Sequence, residues 1–275
     1  MFKLSSKYLD MRKIADSGQI FRFNKIADEG YDLIAADKHL RIKKLIENDK
    51  ANTYELDCSE KEYNEIWKEY FDMDTDYGIY TKNLDPEDEY LLKACEYSKG
   101  IRILRQDKWE MLISFIISQR KSIPAIKSSI EKLAKNFGTE IEKDIYAFPK
   151  PEAILNADET LLEACGLGYR LPYIRAAARA VLEEGVDLYN LDNLSDEELV
   201  DKLKEFKGVG VKVANCVLLF AYHRIGAFPI DVWVEKILNN HYNKSFPMDR
   251  YKGYAGVLQQ YMFFYEREMS NVKLK

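Results

Sequence analysis

The stretch LKEFKGVGVKVANCVLLFAYHRIGAFPIDVWV, residues 203–234, determines the architecture of the 275-residue chain. A predicted amphipathic helix ends just before the turn Gly208–Gly210, and a second begins near Val211. The two glycines permit a tight turn with positive φ, and backbone N–H groups at such a helix start attract anions. The layout predicts a helix-hairpin-helix over about 199–222, which grips a nucleic-acid backbone without reading its sequence. An ordinary turn between two helices is the alternative.

Two residues in this stretch could perform chemistry. Lys212 stands in the first turn of the second helix, where the helix dipole and burial disfavour a charged ammonium group. A neutral amine is a nucleophile. Asp231 follows a proline turn and opens the next helix. It is either a structural N-cap or a carboxylate that stabilises positive charge developing at a sugar carbon.

The charge along the chain is unevenly distributed. The formal net charge is −5, which argues weakly against a nucleic-acid partner. However, residues 99–135 contain nine basic and three acidic side chains, whereas residues 46–98 contain five basic and sixteen acidic ones. A local basic patch rather than the total decides whether phosphate can dock. A solvated helix face is the other interpretation of the basic segment.

Composition limits the other function classes. The longest apolar runs are far shorter than the ~18–20 residues of a membrane span, and no secretory signal is recognised, so an intracellular protein without membrane contact is expected. Four cysteines lie far apart and form no CxxC pair. We therefore expect reduced thiols, no metal site and no cofactor.

The hydrophobic patterns divide the chain into two parts. Partial alternation in 17–23 and 31–45 predicts strands, and helical periodicity dominates from about residue 60. The predicted helices include single segments over 151–164 and 249–268. The fold class is therefore α+β and predominantly helical. We expect a small N-terminal antiparallel-sheet domain over 1–98 and a two-lobed helical region with the helix-hairpin-helix over 99–275.

The chain resembles the DNA glycosylase superfamily that is named for its helix-hairpin-helix, its Gly/Pro-rich loop and its aspartate. Within it the chain is most similar to the 8-oxoguanine DNA glycosylase branch. Residues 203–234 match that motif, and other matching stretches occur in the family's order over nearly the whole chain. They are SGQIFRF (17–23), EYFDMDTDY (69–77), GIRILRQDKWEMLISFIISQRKSI (100–123), GLGYRLPYIRAAARAV (166–181) and the weaker YAGVLQQYMFFY (254–265).

The resemblance implies roles for residues of a catalytic site and a base pocket. Lys212 falls on the lysine that attacks the sugar C1′, expels the base and forms a Schiff base, and Asp231 falls on the motif's aspartate. Gly18 falls on the glycine whose carbonyl accepts the extra N7–H of 8-oxoguanine. The remaining pocket positions are Cys216 and Phe263, which sandwich the extruded base, and Gln259, which reads its Watson–Crick edge. Core packing competes as the explanation of Gln259 and Phe263.

The resemblance also implies a DNA-contacting surface. Arg120 falls where the family fills the gap left by the flipped nucleotide, Tyr169 where it wedges beside the opposite base, and Arg170 where it contacts the orphan base. Trp233 replaces a histidine that touches phosphate in animal members; its indole N–H could donate there, or it could be core. The full set of implied DNA contacts is Gln119, Arg120, Lys121, Tyr169, Arg170, Lys207, Gly208, Val209, Gly210 and Trp233.

The function implied is a bifunctional DNA glycosylase and apurinic/apyrimidinic lyase of base excision repair, acting on double-stranded DNA that contains 8-oxoguanine. The enzyme would be a monomeric, cytoplasmic and nucleoid-associated prokaryotic member. The endonuclease III-like branch is disfavoured because it needs four clustered cysteines. A non-catalytic helix-hairpin-helix DNA-binding protein and a glycosylase for other damaged purines remain as alternatives, although Lys212 argues against the alkylpurine branch, which usually lacks the lysine.

Ala125 generates a prediction about the base opposite the lesion. It falls on an arginine that reads the opposite cytosine in animal members, and a methyl group cannot donate to cytosine O2 or N3. We expect weak preference for cytosine, measured as single-turnover base release opposite cytosine and opposite adenine. Release opposite adenine that is more than about 100-fold slower (~2.7 kcal/mol) would contradict the prediction.

Overall fold

Five antiparallel strands form a small sheet in the N-terminal part of the protein, in the order β1-β5-β4-β3-β2. The computed structural model describes residues 1–26, 30–46 and 51–273. The strands are β1 (Phe2–Ser6), β2 (Phe23–Lys25), β3 (Gly30–Ala35), β4 (Lys38–Ile46) and β5 (Asn52–Leu56). A second sheet has only two short strands, β6 (Glu140–Glu142) and β7 (Ile145–Tyr146).

The hairpin of β3 and β4 explains why the sheet has one buried face. Tyr31 pairs with Ile42 and Leu33 pairs with Leu40, and all four side chains are buried. Their alternation places apolar residues on one side, as expected for a half-buried sheet. The strand expected over 17–23 is wrong except for Phe23, because the preceding residues form a turn rather than an extended ladder.

Helices make up most of the remaining described chain. They are α1 (Met11–Asp16), α2 (Glu60–Glu62), α3 (Lys68–Tyr70), α4 (Glu89–Ser98), α5 (Lys108–Ser118), α6 (Ile123–Phe137), α7 (Pro151–Leu155), α8 (Glu159–Ala164), α9 (Leu171–Leu182), α10 (Asp196–Lys204), α11 (Val211–Phe220), α12 (Val232–His241) and α13 (Ala255–Lys273). A π-helical turn, Tyr63–Trp67, joins α2 to α3. The helix expected over 151–164 is split because Asp158 caps α8, and α13 begins later than predicted.

Two hydrophobic clusters organise the fold. The first joins the sheet to α1 and the 60–71 segment, and it also contains Leu104. The second contains the helices, including Leu91, Ala94 and Cys95 of α4, which packs against α13. α4 therefore packs with the helical cluster although it precedes the predicted boundary at residue 98. The domain limits themselves stay a prediction.

The four cysteines are buried and form no disulfide. In the described ranges, no group of three or more His, Cys, Asp or Glu residues is arranged to hold a metal ion. The same ranges contain no helix with the length and apolar character needed to cross a membrane.

A buried arginine joins the two clusters. Arg102 is 2% exposed and donates hydrogen bonds to the carbonyls of Tyr8, Phe71, Asp72 and Thr75. A guanidinium group with five donors can satisfy several buried carbonyls at once. The segment that begins at residue 100 is therefore fixed to the 71–75 turn.

The Asp72 side chain adds further hydrogen bonds to this contact between the two clusters, which we call the joint. The carboxylate accepts hydrogen bonds from Thr75 Oγ1 at 3.0 Å, Tyr77 Oη at 3.0 Å and an Arg105 nitrogen at 3.1 Å. His223 Nε2 lies 3.4 Å from Oδ2 of this carboxylate, the oxygen that also accepts from Tyr77. Burial alone would raise the pKa of Asp72, but these contacts, led by His223, outweigh it and lower the pKa to about 2.

Replacing Asp72 with Asn should lower the free energy of unfolding by roughly 3 kcal/mol at pH 7, because removing one member of a buried charge network strands its partners. The folded-state pKa of about 2 lies below the unfolded value of about 3.9. The carboxylate's contribution is therefore complete above pH 4 and is lost as the pH falls toward 2. Urea unfolding of both proteins at several pH values measures this difference.

Asp74→Asn is the matched control, since the Asp74 side chain is 77% exposed and forms an ion pair with the half-exposed Lys68. Its effect should stay below about 1 kcal/mol. An Asp72→Asn effect as small as that control's, or one that does not shrink on acidification, would contradict the account of the joint.

Candidate active site

A small cavity lies where the turn after α1 meets α5, α11, the loop before α12, and α13. Its walls contain Ser17, Gly18, Phe115, Lys212, Cys216, Phe220, Pro229, Asp231, Gln259, Gln260 and Phe263. All six residues predicted for the catalytic site and base pocket are among them. The prediction missed the other five. Ser17 and Gln260 adjoin the predicted positions Gly18 and Gln259, and Pro229 lies two residues before Asp231. The two aromatic residues, Phe115 and Phe220, have the sequence signature of ordinary core residues.

Lys212 reaches the cavity from the start of α11. Gly210 is the N-cap and supplies no side-chain cap, so the positive end of the helix is directly beside the lysine. Lys212 is half-buried, and its Nζ lies 5.7 Å from the centre of the Phe115 ring. The amine is thus held against an apolar wall at the edge of the cavity.

Cys216 lies one helical turn beyond Lys212 on the same face. Burial raises the pKa of its thiol to about 11, against the opposing effect of Lys212. A thiol with that pKa is neutral at pH 7, and the thiolate is the nucleophilic form. Cys216 therefore offers a polarisable contact surface at the cavity, and the nucleophilic role of Lys212 stays a prediction.

Asp231 has the N-cap role that sequence reasoning kept open. Its Oδ1 accepts hydrogen bonds from the backbone N–H groups of Trp233 at 3.0 Å and Val234 at 2.9 Å. No described residue donates to Oδ2. One oxygen therefore orients the carboxylate while the other remains available at the cavity, so the structural and chemical interpretations are compatible.

Gly18 and Phe263 face each other across the cavity. Gly18 has φ +78°, and a Cβ at this position would lie 3.2 Å from the Phe263 ring. The backbone can approach a ligand closely there because no side chain intervenes. The guanidinium carbon of Arg267 lies 5.3 Å from the centre of the Phe263 ring, within the range of a cation–π contact.

Gln259 has an unused acceptor. Its Nε2 donates to the carbonyl of Pro229 at 3.1 Å, whereas its buried Oε1 accepts no hydrogen bond from any described residue. A buried acceptor without a partner is costly. A ligand with N–H groups would supply the missing donor.

The cavity has a volume of about 50 Å³. The half-buried Phe263 ring closes it on the side of Gly18.

The predicted hairpin connects α10 to α11. Gly208 has φ +84°, and a Cβ there would lie 2.3 Å from the Tyr173 ring. Val209 is buried and donates its N–H to Phe206. Gly210 and Lys207 are exposed, and the uncapped N–H groups at the start of α11 face outward for an anion.

The junction of α5 and α6 adjoins the hairpin. Gln119 donates from Nε2 to the carbonyl of Gly208 at 3.0 Å. Arg120 is exposed and has φ +50°, a left-handed conformation that costs energy for a residue other than glycine. Tyr169 is 50% exposed. Arg120 and Tyr169 therefore present their side chains to solvent, and their roles toward DNA stay predictions.

Arg170 and Lys121 donate hydrogen bonds to protein carbonyls. Arg170 is 6% exposed, and its guanidinium donates to the carbonyls of Gln119 and Leu167. Lys121 donates to the carbonyl of Gly166 at 2.7 Å. These cations hold the junction together here, because buried carbonyls need donors. Contact with DNA would use the N–H donors that these bonds leave over, and the DNA role of both residues stays a prediction.

Trp233 lies at the start of α12 and is half-exposed. Lys236 Nζ lies 5.5 Å from the centre of its ring. The ring is therefore not core, and its role toward phosphate stays a prediction.

Comparison with known proteins agrees with this geometry. Residues 1–112 match the family described as 8-oxoguanine DNA glycosylase, N-terminal domain, and residues 113–248 match the HhH-GPD superfamily base excision DNA repair protein. A probable N-glycosylase/DNA lyase of Methanothermobacter thermautotrophicus is 30% identical over 244 residues, 77% of each chain.

Two solved structures resemble the whole chain. MBOgg1 in complex with a low affinity DNA ligand is 36% identical with a TM-score of 0.88, covering 98% of this chain and 96% of that one. The Clostridium acetobutylicum 8-oxoguanine glycosylase/lyase, in complex with double-stranded DNA containing cytosine opposite 8-oxoG, is 31% identical with a TM-score of 0.87, covering 98% and 99%. The chain belongs to the 8-oxoguanine DNA glycosylase family of the HhH-GPD base excision repair superfamily.

The Gly208→Ala variant should bind duplex DNA at least about tenfold more weakly (~1.4 kcal/mol), because the added methyl group collides with Tyr173 and distorts the hairpin. Fluorescence anisotropy with a labelled duplex measures the affinity. Gly185→Ala is the control: Gly185 has φ +72° and open space around it, so it has similar backbone strain without touching the hairpin. Equal DNA affinities of the two variants would refute the assignment of the hairpin to DNA binding.

Proposed function

We propose that the protein removes 8-oxoguanine from double-stranded DNA and cleaves the resulting abasic strand by β-elimination. The observation that carries this proposal is the convergence of six residues from separate segments on one cavity. These are Gly18, Lys212, Cys216, Asp231, Gln259 and Phe263. An amine, a carboxylate and groups suited to base recognition thus meet at one place.

DNA binding would use the hairpin and the junction beside it. The uncapped N–H groups at the start of α11 suit a backbone phosphate, which they would grip without reading sequence. Chemistry on a base inside a duplex requires its extrusion. Arg120 and Tyr169, both presented to solvent, suit the gap left in the stack.

Base recognition would combine two acceptors between two flat or polarisable surfaces. The Gly18 carbonyl would accept the N7–H that 8-oxoguanine has and guanine lacks, while a guanine N7 lone pair would be repelled. The unpartnered Oε1 of Gln259 would accept an N–H from the Watson–Crick edge. Cys216 and the displaced Phe263 ring would cover the two faces of the base.

Lys212 would act as the nucleophile once neutral. Its amine attacks C1′, the N-glycosidic bond breaks, and the base leaves with the bonding electron pair and takes up a proton. The amine nitrogen then loses one proton, the C1′–O4′ bond breaks as O4′ takes up a proton, and a protonated Schiff base forms. Loss of a C2′ proton from it expels the 3′ phosphate. Asp231 would stabilise the positive charge that develops at the sugar as the base departs.

The Lys212→Gln variant should release no base and cleave no strand above the protein-free background, yet bind an 8-oxoguanine duplex within about threefold of wild type (~0.7 kcal/mol). Lys207→Gln is the matched control, because Lys207 is an exposed lysine on the same hairpin. It should cleave at the wild-type rate when DNA is saturated. Undiminished cleavage by Lys212→Gln, or loss of binding alone, would favour a DNA-binding module.

A further inference from the structure

Three consecutive carbonyls at the turn after α1 have different partners. The carbonyl of Ser17 accepts a hydrogen bond from Gln260 Nε2 at 2.5 Å, and that of Gln19 accepts one from Gln106 Nε2 at 2.9 Å. No described residue donates to the carbonyl of Gly18 between them. Two glutamine amides therefore hold the outer carbonyls, and the middle one stays free.

The turn is also held by its own side chain. Gln19 Oε1 accepts the N–H of Leu104 at 2.9 Å, and Gln19 Nε2 donates to the carbonyl of Arg102 at 2.9 Å. Gln19, Gln106 and Gln260 are 0%, 6% and 2% exposed. Hydrogen bonds shielded from water are strongly directional constraints, and neutral amides add no charge to the cavity.

Gly18 makes such constraints necessary. Its φ of +78° is one of many conformations open to glycine, so the peptide planes on either side could rotate if unconstrained. Rotation would change the direction of the free carbonyl beside the cavity that Gly18 and Gln260 both line.

We propose that Gln260, assisted by Gln106, is a positioning residue that aims the Gly18 carbonyl at the extruded base and so sets the recognition of 8-oxoguanine. The inference rests on the proposed function and deepens it. Gln260 acts through the backbone of Ser17 rather than by replacing Gln259 at the base. Its hydrogen bond joins α13 to the turn after α1, which places the discriminating carbonyl relative to the rest of the pocket.

The test compares two reactions of one enzyme. Release of 8-oxoguanine needs the aimed carbonyl, whereas cleavage of a preformed abasic site needs Lys212 but no base. The Gln260→Met variant keeps a long side chain and removes the amide donor. Its single-turnover release of 8-oxoguanine should fall about tenfold, while its cleavage of an abasic duplex stays within about twofold of wild type. The Gln106→Met variant, at a residue outside the cavity lining, should change the ratio of the two rates in the same direction as Gln260→Met does.

Ser98→Ala is the control for losing a buried hydrogen bond beside α13. Ser98 Oγ donates to the carbonyl of Tyr261 at 2.8 Å, one residue beyond Gln260, without contacting the turn. Its ratio of the two rates should equal that of wild type. A wild-type ratio in Gln260→Met, whether both rates fall or neither does, would overturn the inference. Wild-type enzyme that cleaves abasic DNA but releases no 8-oxoguanine would instead refute the proposed substrate, and the inference with it.

Discussion

The tie between the turn after α1 and α13 is the constraint on which the site depends. Gln260 holds the carbonyl of Ser17, and Arg267 donates to the carbonyl of Asp16 at 3.0 Å. The beginning and the end of the described chain thereby form opposite walls of one cavity, with Lys212 between them. Without this tie, the amine would face an open groove rather than a pocket that can select a base.

The segment after α4 connects the turn after α1 to the part of the chain that packs on the sheet. Its Arg102 side chain fixes the 71–75 turn, while its backbone holds the Gln19 side chain. One short stretch therefore sets the sheet, the turn and the cavity wall relative to each other. Such support from buried, fully hydrogen-bonded groups is what keeps a recognition site in a fixed geometry.

Local signals made part of this predictable from sequence. The glycine turn at 208–210, Lys212 in a first helical turn and Asp231 after a proline follow short-range rules. Gly18, Gln259 and Phe263 were accessible only through family resemblance, because their partners lie far away in sequence. β1 pairs with β5, although the other strands of the sheet lie between them in the chain. No local window of sequence therefore contains both strands of this pair.

Other features could not be predicted because burial overrides residue type. Gln260 has the sequence pattern of a polar position on a helix, yet it is 2% exposed and lines the cavity. The Arg170 guanidinium donates to protein carbonyls, which the sequence did not predict. In both cases a long-range hydrogen bond decides the orientation of the side chain, and no window of sequence contains both partners.

The most direct test of the central claim, that Lys212 is the nucleophile of a lesion-selective pocket, is borohydride trapping followed by peptide mass spectrometry. A duplex with one 8-oxoguanine and an undamaged duplex are incubated with the enzyme and reductant. The account predicts an adduct with the damaged duplex alone, located at Lys212. An adduct at another residue, equal trapping on undamaged DNA, or base release without any adduct would contradict it.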